Sequence, residues 1–275
     1  MASRTSTSRQ RVIAVTGGGG GIGAAIAEAL GRQGHLVVTM DPLVTLDGKE
    51  QQASDEATTA ERIVVAGGAA RATSVSVTDA DAVRQLFADL VDELGHLDAV
   101  VNVAGISRPT AFGTGIEADW RDVLTVHLQG YLNILDAALS TMAAAGSGRI
   151  LGVTSGSGWR SANAGAYACA KRAVAALTWQ VGAVAPSGVV VNAISPIALT
   201  RMVTAALGRN PSAARGGSGS KATGGLALGS MPAPEDVGPL AAHLVDPAFS
   251  ACTGRVIFAG GSEAAVIDPP TSARR

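Results

Sequence analysis

Tyr167 and Lys171 bracket the run Tyr167-Ala168-Cys169-Ala170-Lys171, and Ser155 precedes the tyrosine by twelve residues. Residues four apart share one face of a helix, so the phenol and the ammonium can point into one cleft. A free tyrosine has a pKa of about 10, which makes it a poor acid–base group at neutral pH. A neighbouring cation lowers that value and suits the phenol to exchange a proton with an alcohol. The Ser155 hydroxyl could hold the substrate oxygen beside it. A Tyr–Lys pair at this spacing also arises by chance on ordinary exposed helices, so the pair alone decides nothing.

A second feature gives the pair its context. Thr16-Gly17-Gly18-Gly19-Gly20-Gly21-Ile22-Gly23 lies between an apolar strand-sized run and a helical pattern. Backbone without Cβ atoms can approach a pyrophosphate closely, and a helix N-terminus offers free N–H groups and the positive end of a dipole. Asp41 closes the next strand, 18 residues past Gly23, where a ribose-binding carboxylate belongs. Gly17, Gly20, Gly21, Ile22 and Asp41 are therefore candidates for binding a dinucleotide. The cofactor expected is NAD, because a carboxylate that accepts from both ribose hydroxyls repels a 2′-phosphate. Pro42 follows Asp41, and neither it nor the glycine run brings a basic residue. The competing readings are a flexible turn and a solvated strand-end aspartate. With an oxidised nicotinamide nearby, a second positive charge would act on the Tyr167 phenol.

The elements that must position these groups repeat as strand, turn, helix. Strands are expected at Val12–Thr16, His35–Met40, Ala72–Val77, Asp98–Val103, Arg149–Val153, Val189–Ile194 and Arg255–Ala259. Helices are expected at Ile22–Gly31, Thr58–Val65, Ala80–Leu94, Glu117–Ala143, Tyr167–Val184 and Pro234–Leu244. Apolar strands without clean alternation, separated by helices, predict a parallel sheet covered on both faces. Right-handed crossovers then give an α/β, doubly wound, Rossmann-type single domain. The expected layout is a flexible tail over 1–10, a domain over 11–261 with a substrate lid at 203–231, and a tail over 262–275.

Composition excludes several function classes. At 275 residues and 47% hydrophobic the chain can build one large core, and with 3% aromatic that core must be Ala, Val, Leu and Ile. The net charge of −1 leaves no electrostatic footprint for nucleic acid. No segment reads as a signal peptide or a membrane span. The two cysteines, Cys169 and Cys252, are far apart and in no metal-ligand spacing, which points to a reducing, cytoplasmic setting.

Taken in order and at these intervals, the motifs make the chain resemble a short-chain dehydrogenase/reductase from Arg11 to about Gly261. The family's glycine motif matches Thr16, Gly17, Gly21, Ile22 and Gly23, and its Asn-x-Ala-Gly turn matches Asn102, Ala104 and Gly105. Its serine matches Ser155, and its Tyr-x-x-x-Lys matches Tyr167 and Lys171. Its proline after the sixth strand matches Pro196, and its nicotinamide-contacting threonine matches Thr200. A looser similarity points to the branch around hydroxyacyl-CoA dehydrogenases and 3-oxoacyl reductases. It rests on Asp47-Gly48, Gly67-Gly68-Ala69, Val126-His127-Leu128 and Thr200-Arg201-Met202.

The departures are informative. His127 takes the place of the family's catalytic Asn, which is thought to hold a water that relays protons to the lysine. Either the imidazole joins that relay and titrates, or it is a packed helix residue. Ser76, beside Val77, stands where many relatives carry an Asp that contacts the adenine amine, and Ile197 replaces the glycine after the proline.

The resemblance implies an enzyme that passes a hydride between NAD(H) and a secondary alcohol or ketone, with a small-molecule substrate. Hydroxyacyl thioesters, steroids and other small hydrophobic alcohols are the candidate substrates. The rival readings are an epimerase, dehalogenase or dehydratase on the same site, and a nucleotide sensor without turnover. The family also implies a homo-oligomer, most often a tetramer, paired through two long helices. Ala137, Ala138, Ala173, Ala175 and Ala176 would permit close helix contact there. Arg209, Arg215 and Lys221 in the lid region could meet a CoA phosphate or could simply be solvated.

Overall fold

A computed structural model describes residues 9–52, 56–159, 164–209, 228–250 and 252–269. Its strands are β1 Val12–Thr16, β2 Leu36–Met40, β3 Ala69–Thr73, β4 Ala99–Asn102, β5 Gly148–Val153, β6 Val189–Ile197, β7 Val256–Gly260 and β8 Glu263–Ile267. They form one sheet in the order β3-β2-β1-β4-β5-β6-β7-β8. All neighbours are parallel except β7 and β8. This is the doubly wound α/β fold that the sequence predicts. The order reverses where β1 lies between β2 and β4, which opens a crevice at the carboxyl ends of those strands.

The helices are α1 Gly21–Arg32, α2 Thr59–Val65, α3 Ala80–Leu94, α4 Glu117–Leu124, α5 Gly130–Ala145, α6 Gly165–Val184, α7 Arg201–Arg209 and α8 Gly238–Leu244. Successive strand residues face opposite sides of the sheet. Val12 and Ala14 thus pack with Phe87, Tyr131 and Ile134 from α3 and α5. Ile13 and Val15 pack with Ile26 and Leu30 of α1 and Ala241 of α8. Both faces of β1 are fully covered, which is why its sequence is apolar without alternation.

Several boundaries depart from the sequence expectation. β3 ends at Thr73, because Ala69–Thr73 is the stretch that registers with Leu36–Met40. Val75 N then donates to Thr73 Oγ1 and the chain leaves the sheet, so Ser76 and Val77 sit beyond the strand rather than in it. The segment expected as a single helix over Glu117–Ala143 is broken by a π-helical turn, Thr125–Gln129, that contains His127. β6 continues past Ile194 through Pro196 to Ile197. The expected C-terminal tail supplies β8, which pairs antiparallel along β7 and is exposed over most of its length. Most of the expected lid and the first eight residues lie outside the described residues, as do Arg215 and Lys221. Among the described residues no helix is long and apolar enough to cross a membrane.

Candidate active site

One cleft of about 2170 Å³ runs along the carboxyl edge of the sheet. Of the residues assigned above to catalysis or cofactor binding, all but Asn102 line it. Asn102 is buried behind the cleft, where its Oδ1 accepts from the Thr16 hydroxyl. Thr16 Oγ1 in turn accepts from the N–H groups of Val103 and Ala104 at 3.1 Å each. The pair thus ties the end of β1 to the Ala104-Gly105 turn and shapes the crevice from below.

The glycine turn packs tightly on its own backbone and leaves open space above Gly21. Gly17 has φ +64°, and a Cβ there would stand 2.8 Å from Ala104 N. A Cβ on Gly23 would stand 2.1 Å from Gly17 O. Gly21 has φ +53° and open space above it, with only Thr200 Cγ2 at 3.8 Å. The N-cap of α1 is Gly20, with no side-chain cap and no acid in the first turn. Its free N–H groups therefore face the cleft without a protein acceptor supplied by a cap, as an anion site requires.

Asp41 is held against this turn. Its Oδ2 accepts from Gly19 N and its Oδ1 from Leu43 N, both at 2.8 Å. Each oxygen keeps a lone pair for a ribose hydroxyl. Ser76 pairs locally, with Oγ 2.8 Å from Thr78 Oγ1. Val77 is buried, and its carbonyl accepts from Asn133 Nδ2. At the far end, Pro196 and Ile197 close β6, and Thr200 O and Oγ1 receive N–H groups from the first turn of α7.

The candidate catalytic side chains converge from three elements. Ser155 follows β5, and its Oγ accepts from Ser157 N at 3.3 Å. Burial pushes the Tyr167 pKa up, and the Ser155 hydroxyl opposes that push. Lys171, one turn along α6, is 4% exposed and donates from Nζ to Val153 O at 2.7 Å. Burial pushes the Lys171 ammonium down to about 8. Its Nζ lies 5.9 Å from the centre of the Tyr167 ring. Thr154 Oγ1 donates to Lys171 O and fixes that turn of α6.

His127 meets Tyr167 edge to face, with ring centres 5.1 Å apart. The imidazole is 2% exposed, and its Nε2 lies 2.8 Å from Ile106 O and 3.1 Å from Ile106 N. Burial first, and the Lys171 charge second, push its pKa down to about 3. The ring is therefore neutral through the working pH range and does not titrate there. Gly105 is glycine because a Cβ would stand 2.3 Å from His127 Cε1.

Sequence reasoning missed Arg108. Its side chain is 8% exposed, and it bonds Asp119 and Asp122 of α4 while Nε donates to Asp47 O at 2.7 Å. Ser107 N donates to Leu46 O at 2.8 Å beside it. Together they hold the segment after β2 along the cleft. No local pattern announces a partner so far along the chain.

The model of the short chain dehydrogenase family matches residues 11–210. The chain belongs to the short-chain dehydrogenase/reductase family. It is 32% identical to the short-chain reductase protein NovJ of Streptomyces niveus, over 94% of this chain and 96% of that one. It is 34% identical to cis-4-hydroxycyclohexanecarboxylate dehydrogenase of Sinomonas cyclohexanicum, over 94% and 98%. An actinorhodin polyketide ketoreductase variant crystallised with NADPH superposes with a TM-score of 0.77 at 27% identity, covering 92% of this chain and 96% of that one. As a member, this chain is an oxidoreductase that uses a nicotinamide cofactor.

Proposed function

We propose that the protein interconverts a secondary alcohol and a ketone with NAD(H), the two similar proteins above being named as a reductase and a dehydrogenase. The observation that carries this reading is the convergence of Ser155, Tyr167 and Lys171 on the one cleft that the glycine turn lines.

The nicotinamide, when bound, accepts or gives the hydride. The residues supply position and a proton. Ser155 holds the substrate oxygen beside the Tyr167 phenol. Tyr167 takes the hydroxyl proton in oxidation and returns it in reduction. Lys171 supplies the positive charge that steadies the phenolate and offers donors to the nicotinamide ribose. Net formation of reduced cofactor across a panel of cyclic and acyclic secondary alcohols tests the reading. Turnover without net reduced cofactor would favour an epimerase, and no turnover on any substrate would favour a nucleotide sensor.

The preference for NAD rests on Asp41. A 2′-phosphate about 4 Å from that carboxylate would meet roughly 4 kcal/mol of repulsion per unit charge at an effective dielectric of 20. Arg62, which lines the same end of the cleft, is already paired with Glu28 at 2.9 Å. Fluorescence titration should therefore give tighter binding of NADH than of NADPH, and Asp41→Ala should narrow the gap. Tighter NADPH binding by the parent protein would overturn the assignment.

We further propose a homo-oligomer, with a tetramer as the expected form, in a reducing, cytoplasmic setting. Ala137, Ala138 and Ala175 are buried in the protomer's own core, so they cannot serve a subunit contact. Ala173 is half-buried and Ala176 exposed on α6, and Leu132 is exposed on α5. These remain available for a helix-to-helix interface. Light scattering at micromolar concentration should give a multiple of the 27.3 kDa chain mass. A monomer would refute it.

A further inference from the structure

The sequence places no basic residue in the glycine turn, but the fold brings one there. Arg201 opens α7, on the opposite wall of the cleft, and its side chain reaches back across it. Its Nη2 lies 2.8 Å from the point where a Cβ on Gly20 would stand. Arg201 is exposed, and among the described residues it makes no hydrogen bond or ion pair. It faces the N-terminus of α1, which has no acid in its first turn. A cation against the positive end of a helix is unfavourable unless an anion lies between them. The space above Gly21, bounded by Thr200 Cγ2 at 3.8 Å, is where such an anion fits.

We propose that Arg201 grips the pyrophosphate of the bound dinucleotide from the side opposite the glycine turn. The phosphate site then has two walls. The backbone N–H groups of α1 form one, and the guanidinium of α7 forms the other. This rests on the dinucleotide reading of the cleft, but not on the choice of NAD over NADP or on the substrate. The guanidinium is suited to the task because its planar fork offers paired donors to phosphate oxygens. Asp41 sits over the neighbouring Gly19, so the ribose and phosphate groups are read by opposite charges on adjacent residues of one turn.

The test measures binding without turnover. NADH, NADPH, ADP-ribose and adenosine are titrated into the parent protein, R201Q and R201K by calorimetry, at low and high salt. Loss of one charge-assisted contact should weaken NADH and ADP-ribose in R201Q by roughly 10-fold or more. NADPH should weaken by a similar factor, adenosine should not change, and the salt dependence for NADH should fall. R201K should recover part of the loss. Equal NADH affinity in R201Q and the parent overturns the role of Arg201 alone. Equal weakening of adenosine assigns the effect to a change of shape and overturns it too. A loss confined to NADPH would place Arg201 on the 2′-phosphate instead. Failure of the parent to bind any dinucleotide overturns the cofactor reading itself, and this proposal with it.

Discussion

Tyr167→Phe should abolish turnover and leave cofactor affinity nearly unchanged. The phenyl ring keeps its edge-to-face contact with His127, so the cleft wall stays in place. Only the exchangeable proton is lost, and Ser155 Oγ still accepts from Ser157 N. Removing a positioned acid–base group typically costs roughly 10²–10⁴ in rate. The sign of the pH dependence follows from the proton's direction. Alcohol oxidation needs the deprotonated phenol, so its rate rises with pH through the Tyr167 ionisation. Ketone reduction needs the protonated phenol and falls through the same range. Burial raises that ionisation and the Ser155 hydroxyl lowers it. The residual rate of Tyr167→Phe should lack this dependence in both directions. Activity within a few-fold of the parent would remove Tyr167 from the chemistry.

His127→Leu and His127→Asn should separate sharply. The parent imidazole presents a single nitrogen, Nε2, to both the carbonyl and the N–H of Ile106. Nε2 can bond only one of these two groups in a given tautomer, so leucine, which fills similar space, leaves one buried backbone group without its partner, at about 1–3 kcal/mol. That penalty loosens the Gly105-Ile106 turn, which lines the cleft, and should lower kcat by roughly 10-fold or more with a fall in Tm. Asparagine offers an acceptor and a donor at once, so His127→Asn should keep the parent rate and stability. Because burial and Lys171 push the imidazole down to about 3, parent and His127→Asn should share one pH profile between pH 5 and 9. An inflection near neutrality that only the parent shows would instead make His127 a proton relay. Full activity and unchanged Tm in His127→Leu would reduce it to packing.

Much of this site was legible in the linear chain because its parts are local. Gly17 and Gly23 are required by backbone contacts within one strand–turn–helix unit, and that unit announces itself in a run of glycines. Tyr167 and Lys171 share a helical turn, so spacing alone puts them on one face. β1 matches its expected bounds because a doubly covered strand is apolar along nearly its whole length, here Val12 to Val15. β8 escaped notice because Glu263–Ile267 carries no such pattern. It is exposed and held by backbone pairing to β7, which side-chain types do not encode.

The sequence by itself determined the fold class, the glycine turn and the candidate constellation of Ser155, Tyr167 and Lys171. Each rests on short-range spacing or on an apolar pattern repeated at strand and helix periods. Only the tertiary structure decided what the remaining side chains face. It put His127 on the Ile106 backbone in a π-helical turn, with its charge removed by burial. It turned Asn102 away from the cleft and onto Thr16. It carried Arg108 onto the segment after β2, and Arg201 across the crevice to Gly20. These pairings join residues far apart in the chain, and their strength depends on burial and charge at positions that only the packed sheet brings together.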